Sequence, residues 1–411
     1  MKVAIVTAGT LPVPAVKGGA VEALVENLAK ENEKYRFLEL VIIGVFDKIA
    51  EEQSHQYPHT RFIFLRSSRF IEALDKCVYL IAKKLLKRGG TASFRNIFRR
   101  FFILRKTTKI LADEKFDKVV LENSATLFRT LKRKGNAKKY AGNYYFHIHN
   151  VVSGSYGCKQ IIKGCKTLAV SNYINQTLPD FMQTISRQNR HVVYNGIDTK
   201  RFFRIISKKD SVKLREKFGL ESNDIVLIFV GRLTPEKGIK ELLEALREMD
   251  TPNIKLLIVG SLFFDSNLWS PFEEQLKQMS ETMKNRVIFT GFIANKEMPT
   301  IYAIADIAVL PSIWDEPAGL TMVEAMASGL PLITTISGGI PEYVNEECAM
   351  LLPRDEYIVN NIVRALSELV TNDELRRRMA KRSQLISKNM TLDRYYWSFI
   401  KEISDETTET Y

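Results

Sequence analysis

Short apolar runs alternate with amphipathic stretches along most of this chain. Uninterrupted apolar runs bounded by polar or glycine-rich turns are typical of buried parallel strands. In the first half they fall at residues 3–6, 38–43, 62–65, 119–121, 144–148, 167–170 and 192–194. In the second half they fall at residues 225–230, 254–259, 286–289, 307–310 and 332–334. Helical stretches such as residues 20–30 separate them, and this alternation predicts an α/β protein with two Rossmann-like domains, each with a parallel sheet.

The same pattern suggests where the domains divide. We expect an N-terminal domain over residues 1–195, with an insertion at 66–110, and a C-terminal domain over 196–385. Residues 195–203 are the expected hinge. The cleft between the two domains is the expected active site, since ligand sites favour domain interfaces.

Composition agrees with this organisation. The chain has 411 residues, of which 45% are hydrophobic, enough for two or three domains with sizeable cores. No apolar run approaches the length of a membrane-spanning helix, and we expect the opening M-K-V-A-I-V-T to be a first strand rather than a secretory leader. The four cysteines form no C-x-x-C pair, so we expect reduced cysteines in a cytoplasmic protein.

The segment P-S-I-W-D-E-P-A-G-L-T-M-V-E, residues 311–324, follows a predicted strand. It places Glu316 in a Pro/Gly turn before a helix that contains Glu324. Free backbone amides at a helix N-terminus favour an anion. The residues that supply them here are Ala318, Gly319, Leu320 and Thr321. The pattern predicts a phosphate cradle with a carboxylate at each side, and ordinary helix capping by glutamate is the alternative.

A second loop, G-R-L-T-P-E-K-G at residues 231–238, joins another predicted strand to its helix. Arg232 and Lys237 lie on it, so both cations are expected at the carboxyl end of a strand, where open α/β sheets bind ligands. A planar guanidinium and a mobile ammonium together suit a diphosphate. A solvated pair of cations is the simpler alternative.

Taken together, these loops resemble the C-terminal half of the retaining GT-B glycosyltransferases of family 4, the group 1 glycosyltransferases. G-G-I-P-E at residues 338–342 and N-G-I-D at 195–198 match two further motifs of that family. The resemblance implies a GT-B fold, with two Rossmann-like domains whose parallel sheets face across a cleft. It also implies that the C-terminal domain binds a nucleotide-sugar and that residues 386–411 return to the N-terminal domain as a helix.

The resemblance assigns a role to each matching residue. It implies that Arg232 and Lys237 hold the donor diphosphate. It further implies that Glu316 contacts the sugar and Glu324 the ribose. The chain departs from the family at Ala318, where phenylalanine is most common, and the smaller side chain predicts a wider sugar pocket.

The implied reaction is transfer of a hexosyl or N-acetylhexosaminyl group, with a UDP-sugar favoured as donor. The implied acceptor is a glycan or a lipid-linked molecule in bacterial capsule, exopolysaccharide or other surface-polysaccharide assembly. No D-x-D motif of the kind that the other major glycosyltransferase fold uses for a metal is present. We therefore expect no cofactor and no metal.

The N-terminal domain carries candidate residues of its own. Gly18 and Gly19 precede the first helix and would let a ligand approach its N-terminus, although a plain turn is an equal alternative. The resemblance implies that this loop faces the donor phosphate and the acceptor. The loop lacks G-x-G-x-x-G, so dinucleotide binding is not expected.

His147 and His149 lie two residues apart at a strand end, on one face of an extended chain. A metal site needs a third ligand, and none is evident in the sequence. The resemblance implies that a histidine here faces the donor sugar. His149 is the preferred match, with His147 as the alternative.

The net charge of +13 is concentrated in residues 66–110, where thirteen Lys or Arg residues stand against Glu72 and Asp75. Apolar residues interleave with these cations, a pattern typical of basic helices that lie on anionic membranes. We expect this insertion to hold the protein on the inner face of the plasma membrane. A solvated basic face and a nucleic-acid surface are the second and third alternatives, and no nucleic acid is expected.

Two other functions remain open on the sequence alone. A basic α/β binding protein without catalysis would need neither the cations nor the glutamates. A sugar-nucleotide enzyme of the same fold, such as an epimerase, or a transferase that uses free sugars would not need the basic insertion.

Overall fold

A computed structural model describes residues 1–86, 96–203, 206–249, 251–260, 270–283 and 285–404. The chain divides into two compact units. The N-terminal unit comprises Met1–Val170, Ile174–Val193 and Tyr396–Tyr411. The C-terminal unit comprises Ser171–Tyr173 and Tyr194–Tyr395.

All seven strands predicted in the first half are present in the N-terminal unit, although the last one lies two residues before its predicted position. They are β1 (Lys2–Val6), β2 (Glu39–Val45), β3 (Thr60–Leu65), β4 (Lys118–Glu122), β5 (Tyr144–Ile148), β6 (Lys166–Ala169) and β7 (Arg190–Val192). They pair in parallel in the order β3-β2-β1-β4-β5-β6-β7. Every residue of β4 and β5 is buried, which explains why these strands read as continuous apolar runs.

Helices connect these strands. They are α1 (Ala20–Tyr35), α2 (Lys48–Ser54), α3 (Arg69–Leu86), α4 (Ile97–Asp113), α5 (Asn136–Lys139), α6 (Lys159–Lys163), α7 (Asn172–Gln176) and α8 (Asp180–Gln183). Two 3₁₀ turns lie at Ala125–Thr130 and Arg187–Asn189. The first residues of α7 are counted with the C-terminal unit.

The predicted basic insertion forms α3 and α4, with residues 87–95 outside the described part of the chain. Buried Asp75 of α3 accepts hydrogen bonds from the backbone N–H groups of Phe98, at 2.8 Å, and Arg99, at 2.9 Å. These amides lie in the first turn of α4 and have no partner within that helix. The carboxylate of Asp75 therefore caps α4 and links it to α3. Among the described residues, no helix is both long enough and apolar enough to cross a membrane.

The C-terminal unit contains all five strands predicted in the second half and one more. They are β8 (Ile225–Val230), β9 (Ile254–Val259), β10 (Val287–Gly291), β11 (Ile307–Leu310), β12 (Leu332–Thr335) and β13 (Ala349–Leu352). They pair in parallel in the order β10-β9-β8-β11-β12-β13. The unpredicted strand β13 is a four-residue edge strand whose two central residues are only half-buried, so its sequence pattern is weak.

The helices of the C-terminal unit are longer toward its end. They are α9 (Thr199–Phe202), α10 (Lys208–Lys217), α11 (Ile239–Glu248), α12 (Pro271–Glu281), α13 (Met298–Tyr302), α14 (Leu320–Ala327), α15 (Ile358–Thr371), α16 (Asp373–Ser387) and α17 (Leu392–Ile403). Short 3₁₀ turns lie at Pro235–Lys237, Asn295–Glu297 and Ile340–Glu342.

Helix α17 starts in the C-terminal unit, and its residues from Tyr396 onward are counted with the N-terminal unit. There the Tyr396 hydroxyl donates to Asn32 Oδ1 at 2.8 Å. The Tyr145 hydroxyl, on β5, donates to the carbonyl of Ile403 at 3.2 Å. Buried aromatic rings with satisfied hydroxyls fix this helix in the N-terminal unit.

Each sheet has one point where the strand order reverses. In the N-terminal unit the chain moves outward from β1 to β3 and then returns to place β4 on the other side of β1. In the C-terminal unit the same reversal separates β8 from β11. Ligands of open α/β sheets bind beyond the carboxyl ends of the strands at such switch points.

Candidate functional site

The two predicted loops of the C-terminal unit leave the strands that flank its switch point. The loop with Arg232 and Lys237 follows β8, and the loop with Glu316 follows β11. Strands β8 and β11 are hydrogen-bonded neighbours, so both loops start at the same edge of the sheet. This placement follows from topology and explains how residues about eighty positions apart meet.

Lys237 and Glu316 form the centre of this site. The ammonium Nζ of Lys237 lies 2.6 Å from Oε2 of Glu316, and both side chains are largely buried. The same oxygen accepts a hydrogen bond from the indole N–H of Trp314, at 2.9 Å, and lies 3.3 Å from the Ser312 hydroxyl. Three donors on Oε2 fix the carboxylate, and no hydrogen bond to Oε1 is seen among the described residues.

The backbone holds these two loops together. The N–H of Ile313 donates to the carbonyl of Glu236 at 3.0 Å, which joins the loop after β11 to the loop after β8. Gly238 has a φ of +71°, and a Cβ atom there would lie 1.9 Å from the carbonyl oxygen of Pro311. Only glycine therefore fits at the end of the G-R-L-T-P-E-K-G loop.

The G-G-I-P-E motif supports Glu316 from the other side. The N–H of Gly339 donates to the carbonyl of Glu316 at 2.7 Å. Gly338 has a φ of +55°, and a Cβ atom there would lie 2.3 Å from the carbonyl oxygen of Glu316. The glutamate turn therefore rests directly on the main chain of the glycine pair.

The helix after this turn, α14, begins at Leu320 with Gly319 as its N-cap, and no side chain caps it. Gly319 also accepts backbone hydrogen bonds from Met322 and Val323, at 3.0 and 3.1 Å. The predicted helix N-terminus is thus present, with Ala318 and Thr321 beside it. Its first amides and the helix dipole favour an anion at this point.

Glu324 lies one helical turn further along α14 and is half-buried. Its Oε2 accepts a hydrogen bond from the buried Tyr302 hydroxyl at 3.2 Å. Removal of the carboxyl from water raises the pKa of Glu324 to about 7, and the hydrogen bond from Tyr302 and the charge of Arg201 offset this only in part. Glu324 therefore changes charge near neutral pH.

Arg232 is placed differently from Lys237. Its guanidinium lies 3.8 Å from a carboxylate oxygen of Glu236 in the same loop, and 52% of its side chain is exposed. An exposed pair at this distance adds little stability, so the guanidinium can turn toward a ligand at low cost.

The predicted glycine loop of the N-terminal unit follows β1, one of the two strands at its switch point. Gly18 and Gly19 have φ values of +73° and +100°, and Gly19 is the N-cap of α1 without a capping side chain. Glu22, in the first turn of α1, is buried, and desolvation followed by the charge of Glu122 raises its pKa. The paired glycines thus lie directly before the first turn of α1, at the edge of this sheet where ligands of such folds bind.

His147 and His149 lie at the carboxyl end of β5, and both are paired with Glu122 at the end of β4. His147 Nδ1 is 3.2 Å from Oε1 of Glu122, and His149 Nε2 is 3.0 Å from Oε2. Burial would raise the pKa of Glu122, but the charge and hydrogen bonds of the histidines outweigh it and lower the pKa to about 2. Burial and the charge of His147 lower the pKa of His149 to about 4 against the opposing effect of Glu122.

Three residues around these sites were missed by the sequence analysis. Trp314 and Ser312 lie inside the motif that contains Glu316, but an indole or hydroxyl two to four residues away gives no pattern signal. Glu122 ends an apolar strand, and a buried carboxylate at a strand end followed by a His-x-His strand could have suggested the cluster.

Two α/β units, each built on a parallel sheet, are the components of the GT-B class of folds. Anabaena Alr3699/HepE, solved in complex with UDP and glucose, matches 99% of this chain and 100% of its own, with a TM-score of 0.71 and 19% identity. At this level of identity the likeness concerns the fold. The predicted fold class is confirmed.

The sequence comparisons match the C-terminal part of the chain to a family. Residues 210–385 match the family model described as glycosyl transferases group 1. For these residues, the predicted resemblance to the group 1 glycosyltransferases is confirmed.

Two curated relatives extend the similarity beyond this domain. Spore coat protein SA of Bacillus subtilis is 26% identical over 93% of this chain and 94% of the relative. The lipopolysaccharide 1,2-N-acetylglucosaminetransferase of Salmonella typhimurium is 25% identical over 70% of this chain and 71% of the relative.

Proposed function

We propose that this protein is a retaining glycosyltransferase of family 4. It transfers a hexosyl or N-acetylhexosaminyl group from a nucleotide-diphosphate sugar to a glycan or lipid-linked acceptor. The observation that carries the proposal is the Lys237–Glu316 pair, 2.6 Å apart beside the uncapped N-terminus of α14. A cation, a fixed carboxylate and free helix amides in one place suit a sugar diphosphate.

The chemistry follows from these charges. The bond between the anomeric carbon and the phosphate oxygen breaks, which leaves positive charge on the sugar and negative charge on the nucleotide diphosphate. Lys237, Arg232 and the first amides of α14 stabilise the departing diphosphate more strongly in the transition state than in the ground state. The acceptor oxygen bonds to the anomeric carbon on the same face, and the departing phosphate takes its proton.

The remaining residues orient the donor. Trp314 and Ser312 hold one oxygen of Glu316, so the other is available to accept hydrogen bonds from sugar hydroxyls. Glu324 accepts hydrogen bonds from the ribose. In the N-terminal unit, the Gly18–Gly19 loop faces the donor phosphate and His149 faces the donor sugar, as the family resemblance implies.

We favour a UDP-sugar as donor and bacterial surface-polysaccharide assembly as the process. The support comes from similar proteins, since Alr3699/HepE was solved with UDP and glucose and the Salmonella relative is named a lipopolysaccharide N-acetylglucosaminetransferase. A screen of UDP-, GDP- and dTDP-sugars by nucleotide release tests the proposal. Saturable release from one of them supports it, and no release from any donor with any glycan acceptor contradicts it. Interconversion of a free sugar nucleotide without transfer would identify an epimerase.

We expect turnover to persist in excess EDTA. Lys237, Arg232 and the amides of α14 supply at the diphosphate the positive charge that a divalent cation supplies in other transferases. Initial rates with and without EDTA, after removal of bound metal by dialysis, measure this. Complete loss of activity that Mg²⁺ restores would show that the diphosphate needs a metal.

Donor affinity should depend on pH through Glu324. Its carboxyl has a pKa of about 7 without ligand, and the ionised form accepts ribose hydrogen bonds better. At pH 6 only about a tenth of the carboxyl is ionised, so the donor KM should be up to about tenfold higher than at pH 8. The Glu324→Gln variant should have a higher KM that varies little over the same range. An equal pH dependence in both proteins would exclude Glu324 as its source.

The basic helices α3 and α4 support a membrane-surface location, which we also propose. Large apolar side chains are exposed on both helices, and they are Phe70, Leu80, Ile81, Ile97, Phe98 and Phe101. Exposed cations accompany them, and they are Arg69, Lys76, Arg100, Arg105, Lys106 and Lys109. Apolar side chains that insert and cations that attract anionic headgroups are the two components of interfacial binding.

Reversal of Arg69, Lys76 and Arg100 to glutamate should weaken binding to vesicles that contain anionic lipid. Each cation near such a surface contributes about 1 kcal/mol, so we expect a loss of two orders of magnitude or more. Vesicle co-sedimentation measures this, and wild-type binding should fall as salt rises. The matched control reverses Lys213, Lys217 and Arg247, which are exposed cations of the C-terminal unit. An equal loss of vesicle binding in both variants would show that net charge alone is responsible. Salt-sensitive binding to RNA without binding to vesicles would favour a nucleic-acid surface.

A further inference from the structure

We propose that Glu122, His147 and His149 form a binding site for a first-row transition metal ion such as Zn²⁺. The inference concerns the N-terminal unit and does not depend on the proposed transfer reaction. For His149 it is an alternative to the donor-sugar contact proposed above. The sequence showed two histidines on one face of a strand and no third ligand. The fold supplies the third ligand from the neighbouring strand.

The strand pairing creates the cluster. Strands β4 and β5 are parallel neighbours, and Glu122 is in register with His147. Side chains alternate along an extended chain, so His149 returns to the same face as His147. The two imidazole rings lie 4.1 Å apart between their centroids, with Glu122 bonded to both.

The cluster is buried, which is unusual for three polar side chains together. Glu122 and His147 are fully buried, and His149 is 7% exposed. The Phe399 ring lies 6.1 Å from the His147 ring. His147 Nε2 has no hydrogen-bond partner among the described residues, although it is removed from solvent.

The donor set suits a metal ion. One carboxylate and two imidazoles are the protein ligands of many zinc sites that keep an open fourth position. The three ligand atoms all lie within 4.8 Å of one another. Ligands at zinc-bond length in a tetrahedral site are about 3.3 Å apart, so the largest separation must contract by at most about 1.5 Å. Imidazole and carboxylate ligands together favour Zn²⁺, Co²⁺, Ni²⁺ or Fe²⁺ over Mg²⁺ or Ca²⁺.

The position of the cluster has a structural consequence. His149 lies one residue beyond the end of β5, so the cluster is at the carboxyl edge of the sheet. A bound ion would join the ends of β4 and β5 and stabilise the folded unit, because it binds the folded state alone.

The test is metal binding by the full chain, freed of metal by a chelator and then dialysed. We use the Cys77→Ser background, because Cys77 is an exposed thiol that can bind zinc by itself. Calorimetric titration with Zn²⁺ should show one equivalent bound and a raised Tm. With Co²⁺, the strong visible absorption of a four-coordinate site should appear.

Glu122→Gln and His149→Gln should each weaken Zn²⁺ binding at least a hundredfold and abolish the cobalt absorption. His149 is at the edge of the cluster, so its variant keeps the test valid where Glu122→Gln does not fold. The matched control is His191→Gln, which removes a histidine that pairs with one carboxylate, Glu402, at 2.6 Å in the same unit. Binding lost in the two cluster variants and kept in the control supports the site. No binding by the parent protein, or binding that survives both cluster variants, overturns it and leaves a hydrogen-bonded group only.

Discussion

Lys237→Ala should lower kcat by on the order of a hundredfold or more while the protein stays folded. The ammonium is fixed 2.6 Å from Glu316, in the turn that precedes α14, and in the proposed reaction it faces the charge that develops on the departing diphosphate. Loss of one such preorganised contact typically costs two to three orders of magnitude in kcat. Steady-state kinetics with the donor found in the screen measure the effect, and circular dichroism confirms folding.

The matched control for this variant is Lys240→Ala. Lys240 lies three residues further along, has a side chain that is 42% exposed, and pairs with Glu244 at 3.6 Å on α11. It should keep nearly full activity. Glu316→Ala should lose activity as Lys237→Ala does, and the double variant should lose little more, because the two side chains act as a unit. Full activity in either single variant would refute the assignment of this pair.

Gly238→Ala should destabilise the C-terminal unit by on the order of 3 kcal/mol, through positive-φ strain and an overlap that cannot relax locally. The added Cβ atom would lie 1.9 Å from the Pro311 carbonyl oxygen, and both partners are backbone. The corresponding fall in Tm is roughly 6 to 12 °C for a unit of this size. Differential scanning calorimetry, which resolves the transitions of separate units, measures it.

The Gly219→Ala variant separates the cost of backbone strain from the cost of the overlap with Pro311. Gly219 has a φ of +68°, close to that of Gly238, but nothing lies within 4 Å of an added Cβ atom. It should cost only the strain of a left-handed backbone, about 1 kcal/mol, or roughly 2 to 4 °C in Tm. Equal losses in the two variants would show that the contact with Pro311 is unimportant.

Much of this fold could be predicted from hydrophobic pattern alone. Buried parallel strands such as β8 and β11 are continuous apolar runs, and each ends at a glycine, proline or polar turn. The edge strand β13 was not predicted, because a short strand with half-buried central residues contains no such apolar run. Helix α1 was expected to end near residue 30 and continues to Tyr35, since its last turns are polar and leave no apolar stripe to read.

The candidate site was predictable only in part. The residues of the two loops were found because they form ordered motifs, and topology then places Lys237 against Glu316. Trp314 and Glu122 were not found, because their importance depends on which atoms they meet in three dimensions. The functional roles of all these residues stay predictions until the variants are measured.

The backbone contacts around Glu316 suggest which position could change the specificity of this site for a sugar. Ile313, Gly238 and Gly339 fix the turn through backbone contacts, and Ala318 takes no part in them. A position that is free of this support can vary without loss of the reactive geometry. If the proposed function holds, saturation mutagenesis at residue 318 should therefore change which sugar is accepted while the support of Glu316 stays intact.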